Sequence, residues 1–207
     1  MNLLFPPKCI LCGVIIDAQR EDSCPECRRS LPWAGTAVKQ GGYHEGVISA
    51  FRYEGSVREA FLRYKFQGQY WLADVFGQLL AQTVAAQLEG RFDLITWAPV
   101  SKKRKRQRTY DQAELLAKSA GLALDAPAAQ CLIKTRHTKP NSSLDDLKEK
   151  QRNVEGVYEA LPGMGGRRIL LIDDVCTTGS TLSECAKTLM LGGAKSVICA
   201  TFARTGD

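Results

Sequence analysis

From Gly46 onward the apolar positions alternate between two periods. Val47, Ile48, Ala50, Phe51 and Tyr53 predict a strand, and Ser56-Val57-Arg58-Glu59 has the form of a capping box that opens a helix through Tyr64. Val75, Phe76, Leu79, Leu80, Val84 and Leu88 recur at helical spacing and predict a helix over Leu72 to Leu88. Leu94 to Ala98 reads as a short buried strand. Ala113, Leu116, Ala117 and Ala120 share one face of a helix from Asp111 to Ala120, which Gly121 ends. Cys131-Leu132-Ile133 is another strand candidate. Residues 135–153 are polar and aperiodic, a long loop of the kind that is functional or mobile inside a compact domain. The unbroken apolar run Arg168 to Ile172 is the pattern of a parallel strand buried on both faces. A helix over Ser180 to Leu191, stopped by Gly192-Gly193, and a strand over Ser196 to Phe202 complete a βαβ unit. The predicted fold class is α/β, a mostly parallel open sheet with helices on both faces.

The first forty residues lack this periodicity, which divides the chain into a head, 1–40, and a body, 41–207. The head carries Cys9-x-x-Cys12 and Cys24-x-x-Cys27 among prolines and glycines. It has too little apolar surface to fold by burial alone. Thiolates at i and i+3 in a tight turn point at one ion, and two such turns complete the tetrahedral shell of Zn²⁺. Metal binding would supply the folding free energy that the core does not. A dithiol redox site needs one such pair, not two, and four thiolates leave no open catalytic position. Cys131, Cys185 and Cys199 lie on apolar positions and read as core packing.

Composition narrows the class. Hydrophobic residues make up 44% and charged residues 24% of the 207, the balance of a folded globular chain. No stretch approaches the roughly 20 apolar residues of a membrane span, so no membrane insertion is expected. Met1 to Pro7 is too short for a signal sequence, and the expectation is a cytoplasmic protein with reduced thiols. The net charge of +6 has one source: Lys102, Lys103, Arg104, Lys105, Arg106 and Arg108 lie within seven positions, and without them 22 residues of each sign remain. The run follows a strand end and precedes a helix, which predicts an exposed loop on the ligand side of the sheet. A solvated charge run, pyrophosphate capture and binding of a nucleic-acid backbone, with Tyr110 stacking on a base, all fit it.

The segment after the buried strand carries the clearest chemistry: Asp173-Asp174-Val175-Cys176-Thr177-Thr178-Gly179-Ser180-Thr181. A glycine admits close backbone approach, the first amides of the following helix are unsatisfied, and its dipole favours an anion. Four hydroxyls surround the same point. Adjacent carboxylates at the carboxyl end of a strand suit a ribose diol or hydrated Mg²⁺. Gly179 is not followed by Lys, which disfavours a P-loop NTPase. A bland alternative is an Asx turn leading into a capped helix.

This segment resembles the phosphoribosyl pyrophosphate (PRPP) motif of type I phosphoribosyltransferases. The resemblance widens through the four-cysteine head, Tyr53-Glu54-Gly55, Lys65-Phe66-x-Gly68, the Pro99 loop, Arg108 to Leu116 and Arg152-Asn153-Val154, which together are similar to the ComF family. That family is linked to competence, the processing of DNA taken up in natural transformation, and to DNA use as a nutrient. The resemblance implies that Asp173 and Asp174 bind the ribose hydroxyls and act in catalysis, and that Thr177, Thr178, Gly179, Ser180 and Thr181 bind the 5′-phosphate. It implies that the turn Pro99-Val100-Ser101-Lys102 receives pyrophosphate, with Mg²⁺ bound alongside PRPP. Residues 135–153 would be the hood that excludes water, and Lys134, Arg136, His137 and Lys139 candidates to neutralise the leaving group. The chain departs from the family at Arg108-Thr109-Tyr110-Asp111-Gln112 and at Pro140-Asn141, and Thr177 replaces the carboxylate of transferases that use oxopurines. Two functions are implied: a Mg²⁺-dependent phosphoribosyltransferase of unread acceptor, or a non-catalytic single-stranded-DNA-binding factor working with the DNA-uptake machinery.

Overall fold

In the computed structural model, residues 6–16, 22–35, 42–139 and 146–206 are described. The elements are α1 (Pro25–Arg29), β1 (Val47–Arg52), α2 (Gly55–Phe66), α3 (Leu72–Leu88), β2 (Leu94–Trp97), α4 (Lys102–Arg108), α5 (Gln112–Ala123), β3 (Leu132–Lys134), α6 (Leu147–Val154), β4 (Tyr158–Ala160), β5 (Arg168–Cys176), α7 (Ser180–Leu191) and β6 (Ser196–Arg204). Four strands form one parallel sheet in the order β1-β6-β5-β2. The central pair comes from the end of the chain, where the apolar runs are longest.

Those runs are buried on both faces because successive side chains of a strand point opposite ways. Leu170 and Ile172 of β5, with Ile198, Ala200 and Phe202 of β6, pack under α3 and α5. Ile169 and Leu171, with Val197 and Cys199, pack against α7. A stack of Phe61, Phe76 and Phe202 centres the first layer, with Phe76 and Phe202 centroids 4.3 Å apart. Cys131, Cys185 and Cys199 are buried, in agreement with their reading as core residues. Among the described residues no helix is long and apolar enough to cross a membrane.

Several expectations change. The capping box does not form: α2 begins at Gly55, and Glu54 at its N-cap makes no side-chain cap bond. Gly121 does not end α5, which runs on to Ala123. It is a glycine because a Cβ there would lie 3.0 Å from the Ala126 carbonyl and 3.2 Å from the Ala128 Cβ. The basic run is a helix, α4, and not a loop: the buried Ser101 hydroxyl caps it by accepting from the Arg104 amide. The 135–153 segment contains most of α6, and β4, which periodicity did not mark, pairs antiparallel with β3. Pro140 and Asn141 lie outside the described residues.

Candidate functional site

β5 leaves the sheet core at Ile172, and from Asp173 its side chains reach the carboxyl edge, where parallel sheets bind ligands. The chain then turns through Thr177 to Gly179, whose φ of 76° is the left-handed conformation that glycine adopts without strain. α7 begins at once. Thr178 Oγ1 and Ser180 Oγ share a 2.8 Å hydrogen bond beside the helix's first amides. The result is a small cup of hydroxyls and N–H groups, suited to a phosphate.

The acidic pair lies next to it. Asp173 is partly buried, and desolvation followed by the charge of Asp174 pushes its carboxyl up to about 8. Asp174 is ion-paired to Lys65 of α2 at 2.6 Å. Both groups open on a cavity of about 480 Å³, which the cup also lines. Pro99 and Val100 from the β2 end form another side. Their turn is anchored where Asp111 Oδ2 accepts from the Val100 amide at 2.8 Å while Oδ1 caps α5.

The cavity is cationic. Its described lining includes Arg58, Lys65, Arg104, Arg108, Lys134 and Lys139 against the two aspartates, the balance a polyanion requires. Arg104 and Arg108 stand at i and i+4 on α4, so both face inward. Lys102, Lys103 and Arg106 are exposed, and Lys105 pairs with Glu114 at 2.7 Å. Arg108 lies 5.1 Å from the Phe66 ring centroid. On the far wall Lys134 Nζ donates to the Tyr158 hydroxyl at 3.3 Å, and burial, then Arg104, lowers its ammonium to about 8.

In the head, all four Sγ atoms of Cys9, Cys12, Cys24 and Cys27 lie within 4.8 Å of one another, and Cys12 and Cys24 are 3.8 Å apart. Tetrahedral zinc with bonds of about 2.3 Å separates its sulfurs by about 3.8 Å. Backbone amides of Cys24 and Cys27 donate to Cys9 Sγ and Cys24 Sγ, the polarity that thiolates need. At Cys9 such donors outweigh burial and bring the thiol down to about 6, whereas burial and the other sulfurs push Cys27 up. Four crowded sulfurs ionise together only around a cation. The head is tied down by Arg63 of α2, which donates to the carbonyls of Ile10 and Leu11. Trp33 packs tilted against Phe51 with ring centroids 4.6 Å apart, and Arg204 donates to the Ala34 carbonyl at 3.1 Å.

A family model described as a phosphoribosyl transferase domain matches residues 77–207, and one described as a double zinc ribbon domain matches residues 1–42. Competence protein ComFC of Streptococcus pneumoniae (strain ATCC BAA-255 / R6) is 30% identical over 195 residues, covering 91% of this chain and 84% of that protein. The chain belongs to the ComF family. Competence protein F of Haemophilus influenzae is 26% identical over 222 residues, covering 95% of this chain and 96% of its own length. DNA utilization protein YhgH of Escherichia coli (strain K12) is 25% identical over 202 residues, covering 90% and 87%. A solved structure of the allosteric regulatory enzyme of purine biosynthesis aligns at TM-score 0.43 and 21% identity, over 62% of this chain and 25% of that one. The zinc-ribbon match and the sulfur geometry support a structural zinc in this ComF-family chain, and residues 1–42 hold the cysteines for one tetrahedral site.

The motif residues Asp173, Asp174 and Thr177 to Thr181 all line the one cavity. Of the expected pyrophosphate turn, Pro99 and Val100 do so, but Ser101 and Lys102 are not among the lining residues. Ser101 is turned to its cap and to His137 Nδ1, 2.8 Å away. Lys134 and Lys139 reach the cavity, whereas Arg136 is spent on the Glu155 carbonyl. Tyr110, expected to stack on a base, is instead buried, packed on Tyr64 and donating to its carbonyl. Lys65 and Tyr158 were not expected in the pocket, whereas Arg104 and Arg108 belong to the basic run for which pyrophosphate capture was one reading. For Arg104 and Arg108 the available signal was their i, i+4 spacing after a Ser cap.

Proposed function

We propose that this ComF-family chain binds PRPP and is a phosphoribosyltransferase-type protein that serves the handling of imported DNA in the cytoplasm. One observation carries the reading: a paired carboxylate and a hydroxyl-lined helix N-terminus, joined by one short loop, open on a single cationic cavity. Asp173 and Asp174 would accept from the ribose hydroxyls, and Thr177 to Thr181 with the first amides of α7 would hold the 5′-phosphate. Arg104, Lys134 and Lys139, which line the cavity, would meet the pyrophosphate, with Val100 presenting the turn. Mg²⁺, to which the two aspartates would offer oxygen ligands, would neutralise pyrophosphate charge when bound.

In transfer, the bond from the anomeric carbon to pyrophosphate breaks and a bond to the acceptor forms, through a state with oxocarbenium character. The carboxylates that fix the ribose would orient that carbon, and Lys134 and Tyr158 of the hairpin β3-β4 with Val154 of α6 line one side of the cavity, where they would limit water. The names of the relatives support the DNA connection, and the four-cysteine head would be a separate zinc-held module of about the first forty residues.

A second reading, a single-stranded-DNA-binding factor, is favoured by the outer face of α4. Lys102, Lys103 and Arg106 are exposed there, and Phe66, Tyr70 and Trp71, 63%, 60% and 56% exposed, follow from the α2 end. Stacking rings beside backbone cations are what a single strand requires. One calorimetric series separates the readings: PRPP with Mg²⁺, then single-stranded DNA, on wild type, on Asp173→Asn with Asp174→Asn, and on Lys102, Lys103 and Arg106 changed to Gln. The aspartate variant is expected to lose PRPP and keep DNA; undiminished PRPP binding would sink the first reading. The Gln variant should flatten the salt slope of DNA binding by about 2; an unchanged slope rejects the second.

A further inference from the structure

Lys65 sits in the last turn of α2, far in sequence from the strand-loop-helix that carries the acidic pair. Its Nζ donates to Asp174 Oδ2 at 2.6 Å, with the two side chains only 22% and 16% exposed. The other oxygen, Oδ1, accepts from the Val175 amide at 2.6 Å, and Asp173 Oδ1 accepts from the Asp174 amide at 2.8 Å. The backbone thus fixes both carboxylates. Among the described residues, Lys65 is the one cation ion-paired with either of them. Its ammonium also lies 5.6 Å from the centroid of the buried Phe61 ring, which directs the side chain toward Asp174 and not out to solvent.

Neighbouring carboxylates in a shielded site repel, and a cation held against one of them offsets that repulsion. A ribose diol donates hydrogen bonds and is met best by a carboxylate whose oxygens are already fixed in place. We propose that Lys65 is a positioning residue of the PRPP site, a resident counter-cation that pairs with Asp174 and keeps its carboxylate aimed before the ligand arrives. Capture of the sugar phosphate then depends only weakly on a divalent cation. This rests on the PRPP reading above. It also gives the Lys65-Phe66-x-Gly68 sequence a role: α2 ends where its last lysine meets β5.

The test titrates PRPP into the zinc-loaded full chain by calorimetry, once in buffer freed of divalent cations over a resin and once with excess Mg²⁺. A soluble chelator is avoided because it would strip the head. Wild type is expected to bind in both buffers. Lys65→Met should lose about thirtyfold or more in affinity without Mg²⁺, the lower end of what truncating one partner of a shielded charge pair costs. Added Mg²⁺ should restore most of it, and Lys65→Arg should follow wild type throughout. Lys65→Gln is the second neutral variant if the methionine variant folds poorly. Neutral variants that match wild type without Mg²⁺, or that lose affinity equally in both buffers, overturn the role of Lys65. Wild type that binds no PRPP in either buffer overturns the PRPP reading itself, and this role with it.

Discussion

Lys134 shows how surroundings set the chemistry of one side chain. It is half-buried, hydrogen-bonded to Tyr158 and close to Arg104, and its ammonium is lowered to about 8, with burial the main cause. An anion brought beside it raises that value again. Between about pH 8 and 9 the free site is therefore partly deprotonated and the liganded site protonated, so PRPP binding should take up a proton. Calorimetry in buffers of different ionisation enthalpy measures the uptake, and Lys134→Met should reduce it, leaving the share of Asp173, which titrates in the same range; equal uptake in the variant would remove Lys134 from the site. The pocket around it also marks a limit of legibility. Asp173, Asp174 and the threonines are readable because they are contiguous and their order is chemically restrictive. Lys134 was expected only through the family resemblance, and Lys65 and Tyr158 reach the cavity from two other elements, α2 and β4. No local pattern shows which lysine at a helix end faces a carboxylate on a distant strand.

At the level of elements, the body was readable wherever apolar period and length agreed. β5, α7 and β6 appear as expected because their runs are long and bounded by charge or glycine. α4 escaped because seven polar residues offer no apolar stripe, and β4 because three residues show no alternation. Glycines were harder still, since their use depends on packing. Gly77 in mid-α3 lies where a Cβ would come 2.4 Å from the Cβ and Oγ of Ser119 and 3.0 Å from the Ala120 amide nitrogen. It sets how closely α3 and α5 cross. Gly77→Ala should cost about 1–3 kcal/mol in urea unfolding, the scale of overpacking, despite alanine's better helix propensity. A variant as stable as wild type would show that the two helices can part without penalty.

For the whole molecule, the head and body form one mechanical unit through α2. Arg63 holds the first cysteine turn by its carbonyls, and two residues later Lys65 holds Asp174. Metal analysis should find close to one zinc per chain. Cys24→Ser, which removes one ligand, should lower the melting temperature and also weaken PRPP binding, although Cys24 is not among the residues lining the cavity. A metal-free protein that melts like wild type would overturn the zinc assignment, and full PRPP affinity in a destabilised variant would uncouple the two sites. The shared helix also bears on how such proteins are studied. A shortened body without the first forty residues would leave Arg63 without its carbonyl partners two residues from Lys65, so inhibitor screens and acceptor searches belong on the full chain.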